Sequence, residues 1–139
     1  MRLRRRDALV VTLRLREVSA HCDLPCGVYD PAQARIEAES VKALIQKHNA
    51  SDDPVFKTRA IFIKEQRAEL VKHHLWVLWT DYFKAPHFEK YPNLHQLFNE
   101  ATKLAGAGGA KGSLDEAVAD QLLAKIDEIA KIFWETKQA

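Results

Sequence analysis

The stretch DPVFKTRAIFIKEQRAELVKHHLWVLWTDYF, residues 53–83, decides the fold. Asp53 offers a side-chain acceptor for the free N–H groups of a first helical turn, and Pro54 stands where its missing N–H does no harm. A long helix is therefore expected from Val55 to about Phe83, with apolar residues at Ile63, Leu70, Leu78 and their neighbours, long enough to be the spine of a bundle. On its N-terminal side, Asp30-Pro31 with Gln33 repeats the start signal and predicts a first helix to about Lys47. On its C-terminal side, Lys84-Ala85-Pro86 breaks the spine, His87 to Lys90 reads as a helical turn, and Pro92 opens a third helix ending near Ala105. Gly106-Ala107-Gly108-Gly109-Ala110-Lys111-Gly112 reads as a flexible connector, too glycine-dense for a helix and lacking the Lys-Ser/Thr ending of a phosphate loop. Ser113 with Glu116 forms a capping-box pattern, and Leu114, Val118, Leu122, Ile126, Ile129 and Phe133 then recur every three or four residues. Four amphipathic helices joined by short connections and no alternating strand pattern predict an all-α, antiparallel four-helix bundle over residues 30–139.

The chain has 139 residues, 47% of them apolar, which suits one domain with a real core. No apolar run is long enough to span a membrane. The formal charge of +2 is unevenly spread: residues 1–20 hold six arginines against Asp7 and Glu17, so the remainder carries 15 basic and 17 acidic side chains, net −2. The leader ends in the small residues Val18-Ser19-Ala20, as an export signal would. Its apolar stretch, Ala8 to Leu13, is short and is followed by Arg14, Arg16 and Glu17, so residues 1–20 are expected to be a cleaved propeptide, cut between Ala20 and His21, rather than a true export signal. A retained basic arm would instead suggest a nucleic-acid or membrane partner.

Both cysteines of the chain, Cys22 and Cys26, lie just behind that leader, in His21-Cys22-Asp23-Leu24-Pro25-Cys26-Gly27. Two thiols cannot build a disulfide-framework scaffold. If the chain were cut after Ala20, His21 would supply an α-amine and an imidazole, Cys22 an amide nitrogen and a thiolate, and Cys26 a second thiolate. Amine, amide nitrogen and the Cys22 sulfur close two adjacent five-membered rings on a metal, giving a planar set of two nitrogens and two sulfurs with the imidazole able to approach axially. Planar nitrogen-containing coordination points to Cu(II) or Ni(II), while thiolate softness alone also admits zinc or Cu(I). Pro25 fixes a turn returning the second thiol to the first, and Gly27 permits an unusual backbone angle after it. An isolated pair of cysteines at this spacing is otherwise a local disulfide or two ordinary thiols; the preceding histidine, the proline and the upstream cleavage pattern favour the metal.

His21-Cys22-Asp23-Leu24-Pro25-Cys26-Gly27-Val28-Tyr29 resembles the nickel hook of the nickel superoxide dismutases. The resemblance continues through Tyr29 to Glu37, Ile63 to Leu70, Asp81 to Lys84, Pro86 to Pro92 and Ile132 to Lys137, and so covers nearly all of residues 21–139. It implies a propeptide (1–20), an irregular nickel-binding hook (21–29) and a four-helix bundle (30–139). It further implies a homohexamer with one nickel ion per subunit, converting superoxide to dioxygen and hydrogen peroxide by cycling Ni(II) and Ni(III) after a processing protease frees the His21 amine; with export the less favoured reading of the leader, the protein is expected in the cytoplasm. By the same resemblance His21, Cys22 and Cys26 are the metal ligands, and Glu37 and Arg67 hold the imidazole with help from a neighbouring subunit. Tyr29 and Tyr82 line the approach to nickel, Asp23 and Pro25 shape entrance and hook, and Lys84 stands near the mouth, where it could steer the anionic substrate. No nucleic-acid or membrane partner is implied. Ala85 departs from the family, which usually has proline there, and so does the glycine-rich connector. A non-catalytic nickel- or copper-binding bundle using the same hook is the second reading, and a helical interaction module with a basic arm the third.

Other residues read more plainly. Adjacent His73 and His74 point about 100° apart on a helix and cannot easily share an ion. His48, His87 and His95 are expected at the surface or an interface, and Trp76, Trp79 and Trp134 as packing anchors.

Overall fold

Asp53 starts the long helix as its sequence position demands: its Oδ1 accepts the Val55 N–H at 3.0 Å. The computed structural model describes residues 26–139, so the leader 1–20 and the hook residues His21, Cys22, Asp23 and Pro25 lie outside the described residues. The elements are α1 (Ala32–Asn49), α2 (Pro54–Val77) continued by a wide π-helical turn (Leu78–Tyr82), α3 (Ala85–Lys90), α4 (Leu94–Ala105) and α5 (Glu116–Gln138). Among the described residues there is no strand. α1 packs on α2 and α5, and α4 closes the bundle on the same two helices. Four long helices thus make the bundle, and α3 is a short crossing between the second and third of them.

The core is continuous across these four helices: Val41, Ile45, Val71, Leu75, Leu94, Leu122, Ile126, Ile129 and Phe133 are all fully buried. Burying a side chain of this size contributes roughly 1.5–3 kcal/mol each. The α5 stripe falls as expected from Leu122 onward, while Leu114 precedes the helix and Val118 is half-buried.

Several expectations need correction. The inward face of α2 is Ala60, Lys64, Ala68, Val71 and Leu75, whereas Ile63 and Leu70 are only half-buried. Small residues win these positions because α1 and α2 pack through alanines, with Ala34, Ala38 and Ala68 fully buried in one cluster. α5 starts at Asp115, not Ser113: Asp115 Oδ1 accepts the Ala117 N–H at 2.9 Å, and the Ser113 hydroxyl accepts from Asp115 N at 3.0 Å. Trp76, Trp79 and Trp134 are 40–48% exposed rather than packed as anchors. His48 goes the other way and is buried, its Nδ1 3.0 Å from Asn49 Oδ1.

The glycine-rich connector is tied down, not flexible. Ala110 N donates to Leu104 O at 2.7 Å and Lys111 N to Gly106 O at 3.2 Å. Gly109 passes so close to the end of α4 that a Cβ there would sit 2.1 Å from Leu104 O, and this is why the position takes glycine. The buried Lys64 ammonium reaches in from α2 and donates to the carbonyls of Lys111 (3.0 Å) and Ser113 (2.6 Å).

Candidate metal centre and its approach

Cys26, the described member of the predicted ligand set, lies exposed on the non-helical segment before α1, with its Sγ 4.0 Å from Val28 O. Gly27 next to it has φ +73°, in the left-handed region that residues with a Cβ rarely adopt. The sequence reading allowed for such an angle at this glycine. The segment then runs into α1, where Asp30 Oδ1 accepts the Ala32 N–H at 2.8 Å. The thiol is therefore carried on a short tether anchored to a capped helix.

Tyr29, half-buried, packs its ring against that of Tyr82, centroids 5.6 Å apart. Tyr82 sits at the last position of the π-helical turn. Such a turn carries one extra residue, and it re-aims the side chains at the end of α2. The chain leaves it at Phe83 in extended conformation (φ −72°, ψ 136°). Here the two tyrosines singled out from sequence do meet, across a loop and the end of a helix.

Glu37 and Arg67 also meet. Arg67 Nη1 lies 3.3 and 3.2 Å from the two Glu37 oxygens, and the Glu37 side chain is the less exposed partner at 16%. One helix thus presents a carboxylate that is already held by a cation on the next. Lys84 is exposed and folds back, its Nζ donating to Asp81 O at 2.8 Å at the end of the π-helical turn. Ala85 is exposed in the first turn of α3.

Sequence reasoning missed the contribution of α5. The Thr136 hydroxyl lies 2.6 Å from the Tyr82 hydroxyl, Lys137 Nζ stands 5.1 Å from the centre of the Tyr82 ring, and the Phe133 ring is 4.3 Å from it. His87 stacks nearly parallel on the same tyrosine, 5.8 Å away at 13°. Phe133, Thr136 and Lys137 follow at intervals of three and four, the spacing that puts residues on one helix face, which was the available signal.

The thiol-bearing segment leads directly into Tyr29, which is paired with Tyr82; among the described residues no group of three or more His, Cys, Asp or Glu side chains could hold a metal ion, so the remaining donors must come from the residues just before Cys26. The donors that the sequence supplies around Cys26 fit a thiophilic metal that accepts nitrogen and sulfur together. Comparison with known proteins makes the class specific. The sequence profile of nickel-containing superoxide dismutase matches residues 16–137. The nickel superoxide dismutase of Streptomyces coelicolor is 68% identical over 122 residues, 88% of this chain and 92% of that protein, and that of Streptomyces seoulensis 67% identical over 123 residues with the same coverage. A native nickel superoxide dismutase structure superposes with a TM-score of 0.82 at 67% identity, covering 86% of this chain and all of the other. The apo structure of such an enzyme gives 0.78 at 65%, over 81% of this chain and 100% of that one. The chain belongs to the nickel-containing superoxide dismutase family.

Proposed function

We propose that the chain acts as a nickel superoxide dismutase whose working form begins at His21. Family membership gives the reaction and the metal; the residue roles below are our reading. His21 holds nickel through its amine and imidazole, Cys22 through its amide nitrogen and thiolate, and Cys26 through its thiolate. Nickel bound there supplies a one-electron couple between its divalent and trivalent states, suited to turning two superoxide ions and two protons into dioxygen and hydrogen peroxide. The observation that carries the ligand reading is Cys26 itself, exposed on a loop bent at Gly27 and leading into Tyr29.

The remaining groups act around that loop. The Glu37 carboxylate, held by Arg67, accepts from the His21 imidazole and fixes its orientation, as carboxylates commonly do for ligating histidines. Tyr29 and Tyr82 wall the approach, order water and limit access to small ligands. Asp23 and Pro25 shape the entrance and the hook. Lys84 offers local positive charge to an anion that a body of net −2 would not attract as a whole.

While Ala20 is attached, the His21 nitrogen is an amide and the donor set is incomplete, so a processing protease switches the enzyme on. We assign the protein to the cytoplasm and to a homohexamer. The assembly is supported by large apolar side chains left exposed on α2, among them Phe62 at 65% and Val55 at 67%. The test is N-terminal sequencing and metal analysis of protein from the native host, followed by a xanthine-oxidase-coupled superoxide assay. A chain starting at His21 with one nickel and fast turnover is expected; nickel binding without turnover would instead favour a non-catalytic metal-binding bundle.

A further inference from the structure

Two oxygen–oxygen contacts meet at Thr136. Its Oγ1 is 2.6 Å from Phe133 O, one turn back in α5, and 2.6 Å from the Tyr82 phenol oxygen. Contacts this short each need a hydrogen between the oxygens. The carbonyl has none to give, so the Thr136 proton must lie towards Phe133 O. The second contact can then be filled only by the phenol proton. The relay has one direction: Tyr82 donates to Thr136, and Thr136 donates to Phe133 O. Hydrogen bonds in such a chain polarise and strengthen one another.

We propose that Thr136 is a positioning residue that fixes the Tyr82 phenol as a hydrogen-bond acceptor towards the site. This rests on the reading of Tyr82 as part of the wall facing superoxide. With its proton committed to α5, the phenol oxygen turns only lone pairs to the approach. It therefore receives hydrogen bonds, from water or from the protonated product, and gives none to an anion. The neighbours hold the ring in that attitude: Phe133, Phe83, His87 and Tyr29 pack against it, and Lys137 stands over it. Tyr82 is on this account an ordering group rather than the proton source.

The test compares Thr136→Val, which keeps the shape but removes the relay, with Thr136→Ser, which keeps the hydroxyl. Raman spectra of the metal-free protein, with the Tyr82→Phe spectrum subtracted, report whether the Tyr82 phenol donates, through the intensity ratio of the tyrosine Fermi doublet. A strong-donor signature, from the short bond to Thr136, is expected in the wild type and in Thr136→Ser, and a weaker one, of a phenol bonded only to water, in Thr136→Val. In the nickel-loaded chain beginning at His21, the freed phenol of Thr136→Val should turn its proton to an anion. Azide is then expected to inhibit roughly five-fold more tightly, about one hydrogen bond's worth, and Thr136→Ser should match the wild type. A strong-donor signature that persists unchanged in Thr136→Val, or is absent from the wild type, overturns the proposal. A wild-type chain that carries the expected Raman pattern but no superoxide turnover would overturn the site reading and still support the relay.

Discussion

Arg67 on α2 holds Glu37 on α1 through both carboxylate oxygens, at 3.2 and 3.3 Å, with Glu37 the more buried of the two. A carboxylate fixed in this way is a rigid acceptor, suited to orienting a ligand rather than to being one. Glu37→Ala is therefore expected to weaken nickel affinity and superoxide turnover by roughly 10–100-fold. Cys22→Ser and Cys26→Ser, which remove thiolate donors, should abolish both. Equal losses in all three variants, measured by metal content and turnover, would contradict this division of roles.

The buried Lys64 ammonium holds two carbonyls of the connector. Lys64→Met leaves both carbonyls without that donor, and urea unfolding should show a loss of about 1–3 kcal/mol. Burial pushes the Lys64 amine below its ordinary value of 10.5. Between the folded value and 10.5 the unfolded chain holds more protons at this site than the native one. The Lys64 contribution to stability therefore rises with pH through that window and is constant below it. The wild-type stability minus that of Lys64→Met should climb as pH approaches 10.5; a fall would show the sign to be wrong.

The connector also separates two glycines that look alike in sequence. A methyl group on Gly109 would collide with Leu104 O at 2.1 Å, whereas one on Gly108 would meet nothing within 4 Å. Gly109→Ala should cost about 1–3 kcal/mol, and Gly108→Ala should stay within about 0.5 kcal/mol of wild type. Thermal or urea melts of the two variants decide the matter, and similar stabilities would mean that the loop is looser than its hydrogen bonds imply.

Two lysines lie near the end of the π-helical turn: Lys84 Nζ donates to Asp81 O, next to Tyr82 in the chain, and Lys137 Nζ stands over the Tyr82 ring. If these charges steer superoxide locally, Lys84→Glu and Lys137→Glu should each lower turnover several-fold, and added salt should slow the wild type more than either variant. Rates that ignore salt and survive both reversals would remove steering from the account.

Much of this was legible in the sequence because it is local. Proline and aspartate place helix starts by their own backbone chemistry, and Asp53 caps α2 as its position predicts. The hook lies outside the described residues up to Pro25, but its Gly27 does adopt the left-handed angle that a glycine there permits. What escaped depends on distant partners. Nothing in the order of residues near Tyr82 announces Thr136, which reaches it from the far end of the chain. Nor does periodicity anticipate a lysine on the inward face of α2, since a charge is tolerated there only because Lys111 and Ser113 turn carbonyls towards it. The connector looked flexible for the same reason: Gly109 is there for close approach to Leu104 O, visible only once α4 is in place.

The most direct measurement compares the full 139-residue chain with one beginning at His21, loading both with nickel and following bound metal and superoxide turnover together. The shorter chain is expected to bind one nickel and turn over rapidly, and the full chain to do neither, because its His21 nitrogen is still an amide. Full nickel stoichiometry and equal turnover in the uncut chain would contradict the account at its centre.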